Sequence, residues 1–249
     1  MGIVTIAGKK WDVPKKQLNI FNKEEIENIL FAFNQSCGGN YYMLDYYQRR
    51  IIVDDLSSAI LCGYSRKEIE KEGFDFLKRI LNSEEQCWLD KVNTAGWNFF
   101  FLQDESKRKN FVISYDLTVK TINGSKHILH HKITPFKFCN RGNMWLGLCH
   151  ATISPQKEMK NQAYITNVVE GRRYNFVDDN FTLSKMEYLS YKERQILSLM
   201  AQDLTTAEIS KNLEISAPTL DRFKRKIFDK FGVDKATSAI HKAHMEGLI

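Results

Sequence analysis

The sequence predicts two domains, an α+β domain built from an antiparallel sheet with short helices and an all-α domain of four helices. The chain of 249 residues is long enough for two domains of ordinary size. Strand patterns mixed with short helical ones fill residues 21–153, whereas residues 185–249 are helical in pattern throughout. The segment between them, 154–184, is polar and irregular, and we predict a linker there.

The composition is that of an ordinary globular protein, with 43% hydrophobic and 27% charged residues. Lys plus Arg outnumber Asp plus Glu by 36 to 30, so nucleic acid is permitted as a partner without being implied. The mean hydropathy is −0.39, no apolar run approaches the roughly 20 residues that span a bilayer, and the N-terminus lacks a signal-peptide pattern. We therefore expect a cytoplasmic protein that does not bind a membrane.

The cysteines are odd in number and widely spaced, and no two form a Cys-x-x-Cys pair. They are Cys37, Cys62, Cys87, Cys139 and Cys149. This pattern excludes a disulfide framework and a zinc site of ordinary spacing. We expect reduced thiols, most of them packed as small hydrophobic side chains.

The first domain begins with a predicted helix over 23–33, and further short helices follow at two capping signals. Ser65 with Glu68 forms one capping box, and Ser83 with Gln86 forms another. Strand patterns cover 41–44, 49–53, 111–122, 126–138 and 144–153. Asn123-Gly124 joins the third and fourth strands as a hairpin turn. Two strands, several helices and three antiparallel strands predict a sheet with its helices grouped on one side.

This order resembles a PAS sensor domain, and two short motifs support the resemblance over about 125 residues. Cys62-Gly63-Tyr64-Ser65 followed by Glu68 is similar to a turn of that family, and Asn82-Ser83-Glu84-Glu85 lies where many members have another. The resemblance implies that residues 21–153 are a sensory or dimerisation domain. The Gly-x-Asn-Cys stretch of flavin-binding light sensors is absent, and the sequence assigns no cofactor.

Several side chains of this domain are candidates for ligand or metal binding. His127, His130 and His131 lie on one predicted strand, where 130 and 131 face opposite sides, and hydrogen-bonded or solvent-facing histidines are the alternative to a haem or metal ligand. An aromatic set could line a ligand cavity or simply form the core: Trp97, Phe99, Phe100, Phe101 and Phe111. In the linker, residues 156–169 predict a helix that transmits movement or acts as a spacer.

The second domain contains three further helix starts. Ser190 with Glu193 and Thr205 with Glu208 are capping boxes, and Ser216 is an N-cap that precedes Pro218 in the first helical turn. The second and third helices are separated by a tight turn, which predicts a helix-turn-helix.

A helical wheel separates the two faces of the helix that follows Ser216. Leu220, Ile227 and Phe231 lie on one stripe and predict its buried face. The opposite side carries Arg222, Arg225, Lys226 and Asp229, with Asp221 at its edge, and Lys224 lies close to the stripe. Residues 216–230 carry a net charge of +3 (five basic, two acidic), so positive charge is concentrated on the exposed side.

Such a face suits a DNA major groove. Arginine binds guanine O6 and N7 as a bidentate pair, whereas lysine, hydroxyl groups and helix N-termini bind phosphate without reading sequence. The alternative is that the hydroxyls only cap helices and the charges only solvate a surface. The candidate DNA-binding residues are Thr205, Thr206, Ser216, Thr219, Asp221, Arg222, Lys224, Arg225 and Lys226.

The last 60 or so residues resemble the LuxR/FixJ-type (GerE-like) four-helix DNA-binding domain. The resemblance rests on a gapless series that includes Leu189-Ser190, Glu193, Ile196-Leu197, Ala201, Glu208-Ile209, Leu213, Ile215-Ser216, Thr219-Leu220, Ile227, Lys230-Phe231-Gly232-Val233 and Gly247-Leu248-Ile249. It implies that the third helix enters the major groove, with Asp221, Arg222 and Arg225 at the base-facing positions. It also implies a dimerisation helix at about 235–246 whose outward face, away from Ala236, Ile240 and Ala243, is Ser238, His241, Lys242 and Met245.

Three positions depart from the family's pattern. Asp203 replaces a usual glycine, Asp221 stands where a basic residue is usual, and Phe223 stands where histidine is frequent. Asp221 would be repelled by a phosphate but could accept a hydrogen bond from a cytosine amino group. We interpret these departures as altered sequence preference rather than loss of DNA binding.

The sequence therefore predicts a bacterial, homodimeric, sequence-specific transcriptional regulator that binds double-stranded DNA. A small-molecule ligand of the PAS-like domain and RNA polymerase are further candidate partners. The alternative is a protein-interaction module with a degenerate helix-turn-helix that does not read DNA. No nucleophile–base set, Gly-rich phosphate loop or paired metal ligands are found, so the sequence does not predict an enzyme.

Overall fold

The computed structural model describes residues 4–6, 9–11, 13, 23–37, 40–54, 56, 62–153, 162–170, 172–184, 189–245 and 248–249. The chain forms two compact units, Met1–Leu183 (unit 1) and Ser184–Ile249 (unit 2). Among the residues that the structure describes, every helix is too short or too polar to span a lipid bilayer.

Unit 1 is an antiparallel sheet of eight strands with helices and a separate two-stranded hairpin. Its elements are β1 (Val4–Ile6), β2 (Lys9–Trp11), α1 (Lys23–Ser36), β3 (Tyr41–Asp45), β4 (Arg50–Ile52), α2 (Arg66–Glu72), α3 (Asp75–Ile80), α4 (Ser83–Phe101), β5 (Phe111–Lys120), β6 (Lys126–Phe138), β7 (Met144–Ile153), β8 (Ala163–Asn167), β9 (Arg172–Val177) and β10 (Asn180–Leu183). The strand order in the large sheet is β10-β9-β8-β5-β6-β7-β3-β4, and every pair is antiparallel.

The five strands predicted from the sequence are confirmed as β3 to β7, to within two residues at most ends. The hairpin turn between β5 and β6 is also confirmed, because Gly124 has a φ of +86° and the Thr121 amide donates to the Ser125 carbonyl over 2.9 Å. The Ser65–Glu68 capping box is present at the start of α2. The predicted Ser83–Gln86 box is wrong, because Ser83 is already the first helical residue of α4 and Asn82 caps that helix by accepting from the Glu85 amide. Short helices therefore do lie between β4 and β5.

The prediction of an irregular linker over 154–184, with a helix over 156–169, is wrong for the described part of that segment. Residues 163–183 instead form β8, β9 and β10, which extend the sheet beyond β5. Ile165 of β8 pairs with Ile113 of β5, and its apolar side chain is buried in the sheet. Residues 154–161 lie outside the described residues.

Two apolar cores lie on opposite faces of the sheet. The larger lies between the sheet and helices α2 to α4 and includes Phe76, Val92 and Trp97. The smaller lies beneath α1 and includes Ile26 and Trp145. Both faces of the central strands are therefore buried, which explains why β6 and β7 lack a clean alternation of buried and exposed residues.

Three of the cysteines are buried as free thiols and two are exposed. Cys62, Cys139 and Cys149 are buried, whereas Cys37 and Cys87 are exposed. The described part of the chain holds no group of three His, Cys, Asp or Glu side chains that could bind a metal ion.

Unit 2 is a bundle of four helices at the predicted positions. They are α5 (Tyr191–Ala201), α6 (Thr206–Asn212), α7 (Ala217–Phe231) and α8 (Ala236–Met245). Its core contains Ile196, Leu197, Ile209 and Leu220 with Ala239, all fully buried. The capping boxes at Ser190 and Thr205 are both present.

The helices α5, α6 and α7 end in the same way, with one residue in the left-handed conformation. These residues are Asp203 (φ 56°), Glu214 (φ 52°) and Gly232 (φ 61°). In each case the next amide reaches back five residues to a helical carbonyl, as in Ile215 to Ser210 over 3.0 Å. The position where Asp203 replaces a usual glycine is thus a position where glycine has a conformational advantage.

Candidate nucleic-acid interface

The two central helices of unit 2, α6 and α7, form a helix-turn-helix. The turn is closed by the Ile215 amide, and the Ser216 hydroxyl then caps α7 by accepting from the Thr219 amide over 3.3 Å. Pro218 lies in the first turn of α7, where its missing N–H has no helical partner to lose. Leu220 and Ile227 are fully buried and fix the rotation of α7 about its own axis.

The fixed rotation of α7 exposes the side that the wheel predicts. Asp221, Arg222, Arg225 and Lys226 are all exposed. None of these four side chains makes a hydrogen bond or ion pair with another described residue. With Asp229, which is exposed on the same side, the face therefore offers two guanidinium groups, one ammonium and two carboxylates to an external partner.

Four other lysines of unit 2 are used inside the bundle. Lys224 donates to the Thr206 hydroxyl over 2.9 Å, and Lys192 donates to the Leu213 carbonyl over 3.2 Å. Lys242 donates to the Phe231 carbonyl over 2.8 Å. Lys224 is half-buried, and its ammonium group reaches α6. Fewer basic side chains of unit 2 are therefore available to an external partner than its number of Lys and Arg residues suggests.

The fourth lysine, Lys230, makes a buried ion pair that joins α7 to α5. Its Nζ atom lies 2.8 and 3.0 Å from the two carboxylate oxygens of Glu193, whose side chain is only 3% exposed. Burial alone would raise the pKa of Glu193, but Lys230 and the Ser190 amide stabilise the carboxylate and hold its pKa below the ordinary value. The pair fixes α7 against its scaffold.

The four predicted phosphate-binding hydroxyls take part in local hydrogen bonds. Thr205 donates to Glu208 over 2.7 Å within its capping box, and Thr206 accepts from Lys224. The hydroxyls of Ser216 and Thr219 share a hydrogen bond of 2.8 Å. These contacts place all four residues at the starts of α6 and α7, and their contact with phosphate stays a prediction.

The predicted dimerisation face of α8 does not form as one exposed face. Met245 is buried, Ser238 and Lys242 are half-buried, and only His241 is exposed. The prediction for Met245 is wrong because α8 ends there and the Leu248 amide turns back to the Ala243 carbonyl over 2.9 Å. The buried residues are centred on Ala239 and Ala243, so the exposed positions of α8 include Thr237, His241 and His244.

Unit 1 contains a separate apolar cavity between α4 and the sheet. It is partly open to solvent, and its cavity volume is about 60 Å³. The lining residues are Tyr46, Asn93, Gly96, Trp97, Phe99, Phe100, Phe111, Ile113, Ile133, Pro135, Met144 and Ile165. Four of the five predicted aromatic residues are among them and Phe101 is not. Sequence reasoning missed Tyr46 and Asn93 because residues from six separate segments meet here and no local motif joins them.

The histidines of β6 are hydrogen-bonded or exposed, which was the alternative to a metal ligand. His130 Nδ1 donates to Asp116 over 2.7 Å, His131 shares a hydrogen bond with the Tyr42 hydroxyl, and His127 is exposed. Burial, with the nearby charges of His130 and His150, lowers the pKa of His131 to about 3. His131 is therefore neutral at physiological pH.

A helix-turn-helix with an exposed basic face is an arrangement typical of DNA-binding domains, and unit 2 has both features. Residues 187–243 match the family described as "Bacterial regulatory proteins, luxR family". Unit 2 is therefore a LuxR-family domain, and the sequence resemblance to that family is confirmed. The match lies within unit 2 and does not extend to unit 1.

Solved structures with similarity to most of the chain are distant in sequence. Vibrio cholerae VqmA in the absence of target DNA is 14% identical over 88% of this chain and 87% of that chain, with a TM-score of 0.31. A VqmA–ligand–DNA complex is 13% identical over 92% and 89%, with a TM-score of 0.30. Escherichia coli SdiA is 16% identical over 92% of both chains, with a TM-score of 0.28. These values are too low to transfer a fold or a ligand. No curated protein matches the chain.

Proposed function

We propose that the protein is a sequence-specific transcriptional regulator that binds duplex DNA as a homodimer through α7. The observation that carries this proposal is the exposed face of α7, whose Arg222, Arg225 and Lys226 have no partner among the described residues. A major groove about 12 Å wide admits one helix, and the buried residues of α7 leave this face free to enter it.

Each basic residue of the face takes a role that follows from its chemistry. Arg222 and Arg225 are placed to bind guanine O6 and N7 as bidentate donors, which discriminates against other bases. Lys226 lies at the flank of the face and is placed to bind a backbone phosphate, as are the hydroxyls at the starts of α6 and α7. Lys224 acts by holding α7 against Thr206.

The homodimer is part of the same proposal. The exposed positions of α8, which include Thr237, His241 and His244, are free to meet those of a second copy. Two α7 helices related by a two-fold axis would bind half-sites about one helical turn, or 34–36 Å, apart. The target would then be a palindromic duplex.

Unit 1 is proposed to be a PAS-like sensory domain. The order β4-β3-β7-β6-β5, with α2 to α4 between β4 and β5, matches the two strands, helices and three strands of the sequence resemblance. The cavity beneath α4 supports a ligand-binding role because no charged residue lines it and several aromatic side chains do. It suits a small neutral ligand that stacks on aromatic rings and meets the Asn93 side chain or the Tyr46 hydroxyl.

Selection of bound duplexes from a random-sequence pool tests the DNA-binding half of the proposal. We expect the full-length protein to recover a two-fold-related motif, and the double variant Arg222→Ala/Arg225→Ala to recover none at equal protein concentration. The same result for both proteins would contradict the assignment of α7. Failure of the wild type to retain any DNA at low salt would favour the protein-interaction module.

Thermal unfolding with benzyl alcohol, a neutral aromatic probe, tests the cavity. The four tryptophans all precede residue 184, so tryptophan fluorescence reports unit 1; they are Trp11, Trp88, Trp97 and Trp145. A Cβ atom at Gly96 would lie 3.2 Å from Ile113, so Gly96→Val narrows the cavity. We expect the probe to raise the unfolding temperature of the wild type and not of the variant. Equal shifts in both proteins would place the probe elsewhere.

A further inference from the structure

The exposed face of α7 carries a carboxylate among its basic groups. Asp221 is exposed and lies one helical turn before Arg225, on the same side of the helix. Although Arg222, Lys224 and Arg225 are all near it in sequence, Asp221 makes no ion pair with any described residue. Its carboxylate is therefore available to an external group, and no intramolecular contact in the described chain accounts for it.

A free carboxylate at a DNA surface is unfavourable unless it meets a hydrogen-bond donor. The phosphate groups that border the groove are negative and repel it. The base edges in the major groove offer amino donors only at cytosine N4 and adenine N6. Adenine also presents its N7 acceptor beside that amino group, which repels a carboxylate, so cytosine is the better partner.

The position of Asp221 along α7 supports a base contact. Asp221 is the fifth residue of α7, and recognition helices contact base edges with their N-terminal residues. Asp229 is a second exposed carboxylate of α7, but it lies eight residues further on, about 12 Å along the helix axis. That distance is about the width of the major groove, so the two carboxylates do not face the same base pairs.

We propose that Asp221 is a specificity-determining residue that accepts a hydrogen bond from a cytosine amino group in each half-site. This inference rests on the proposed function, because it requires that α7 enters the major groove. According to this inference, α7 recognises two kinds of base: Arg222 and Arg225 select guanine, and Asp221 selects cytosine. The acidic departure from the family's pattern is thereby a change of base preference at one position.

The test is the selection of bound duplexes by the wild type and by three variants, Asp221→Ala, Asp221→Asn and Asp229→Ala. For Asp221→Ala we expect the cytosine preference to disappear at one position of each half-site, a loss of about tenfold against the other bases there. For Asp221→Asn we expect adenine to replace cytosine at that position, because an amide binds adenine N6 and N7 as a bidentate pair.

Asp229→Ala is the matched control because it removes a carboxylate from the same helix outside the proposed base contact. It should raise affinity for all duplexes and leave the selected motif unchanged. If Asp221→Ala also raises affinity uniformly and keeps the wild-type motif, Asp221 acts only through its charge and the inference is overturned. A wild type that selects no motif would overturn the proposed function and this inference with it. Hydrogen exchange of α7 in each variant confirms that the helix is intact.

Discussion

His131 is a titratable residue that unit 1 holds in its neutral form. It is buried on β6, and its imidazole ring stacks on Tyr42 with ring centroids 5.5 Å apart. Burial lowers the pKa of His150 to about 4 as well, with Lys132 and His130 as neighbouring positive groups. Two histidines are thus harder to protonate in the folded chain than in the unfolded one, where the ordinary value is 6.5.

The neutral histidines make the stability of unit 1 depend on pH. Because their folded pKa values lie below 6.5, the unfolded chain binds more protons, and stability is complete above that pH and falls below it. Between pH 6.5 and 5 we expect each histidine to contribute a slope that approaches about 1.4 kcal/mol per pH unit. Urea unfolding followed by tryptophan fluorescence measures this slope.

Two histidine variants separate this effect from the titration of other groups. His131→Phe should reduce the slope of unfolding free energy against pH by the contribution of one histidine. This expectation holds even if the substitution changes the stability itself. His127→Gln removes an exposed histidine of the same strand and should leave the slope unchanged. A slope that is equal in the wild type and His131→Phe would show that His131 takes up a proton as readily in the folded chain as in the unfolded one.

At the scale of elements, the Glu193–Lys230 pair holds α5 and α7 together. Removal of the negative partner leaves a mostly buried ammonium group, because the Lys230 side chain is only 19% exposed. Glu193→Gln should therefore destabilise unit 2 by about 3 kcal/mol, at the lower end for a broken buried pair. Because the folded pKa of Glu193 is lowered, the contribution is present at neutral pH and is lost as pH falls below about 4.5.

Hydrogen exchange of the α5 amides measures this loss. Glu208→Gln is the matched control, since Glu208 occupies the same capping position in α6 and is exposed, with no lysine against it. Glu208→Gln should lose much less protection from hydrogen exchange than Glu193→Gln. Equal protection of α5 in both variants would mean that the ion pair contributes nothing beyond the cap.

The residues in the left-handed conformation at the ends of α5 and α6 are positions where glycine should stabilise unit 2. Glu214 has a φ of 52°, a conformation that costs a non-glycine residue about 1–2 kcal/mol, whereas glycine costs part of that in chain entropy. Glu214→Gly should stabilise unit 2 by about 0.5–1 kcal/mol, measured by hydrogen exchange of α6 and α7. Lys211→Gly, at a helical position three residues earlier, should destabilise it by a similar amount. Destabilisation by both would contradict the assigned turn.

The sequence predicts elements best where local signals and burial agree. In unit 2 each of α5, α6 and α7 has a capping residue followed by an apolar stripe, and all four helix positions are confirmed. The β9–β10 hairpin was missed because its turn is Asp178-Asp179. Both residues have positive φ, which a two-residue hairpin requires, but the usual signal for it is Asn-Gly or Asp-Gly.

Binding surfaces formed by several elements were harder to predict than single elements. The wheel of α7 succeeded because its core stripe is long and its charges lie opposite to it. The wheel of α8 failed at Met245 because the chain turns back there, and helical periodicity contains no information about where a following segment packs. Tyr46 and Asn93 in the cavity required the strand order before they could be placed together.

At the scale of the whole molecule, the net charge of +6 understates how the positive charge is used. Four lysines of unit 2 contact a helix end, a hydroxyl or Glu193, whereas Arg222, Arg225 and Lys226 on one face of α7 remain free among the described residues. Some basic residues of unit 2 therefore stabilise the helix bundle, whereas those on α7 are available to bind DNA. It also implies that DNA affinity falls steeply with salt, since each phosphate contact releases counterions.

The most direct test of the central claim compares Arg225→Ala with Lys226→Ala on a selected duplex and on a scrambled one, over a range of salt. If α7 reads bases, Arg225→Ala should reduce the ratio of the two affinities by about tenfold or more. Lys226→Ala should weaken both duplexes alike and reduce the salt slope by about one. Equal small losses in both variants, with the ratio unchanged, would contradict the claim that this face reads DNA sequence.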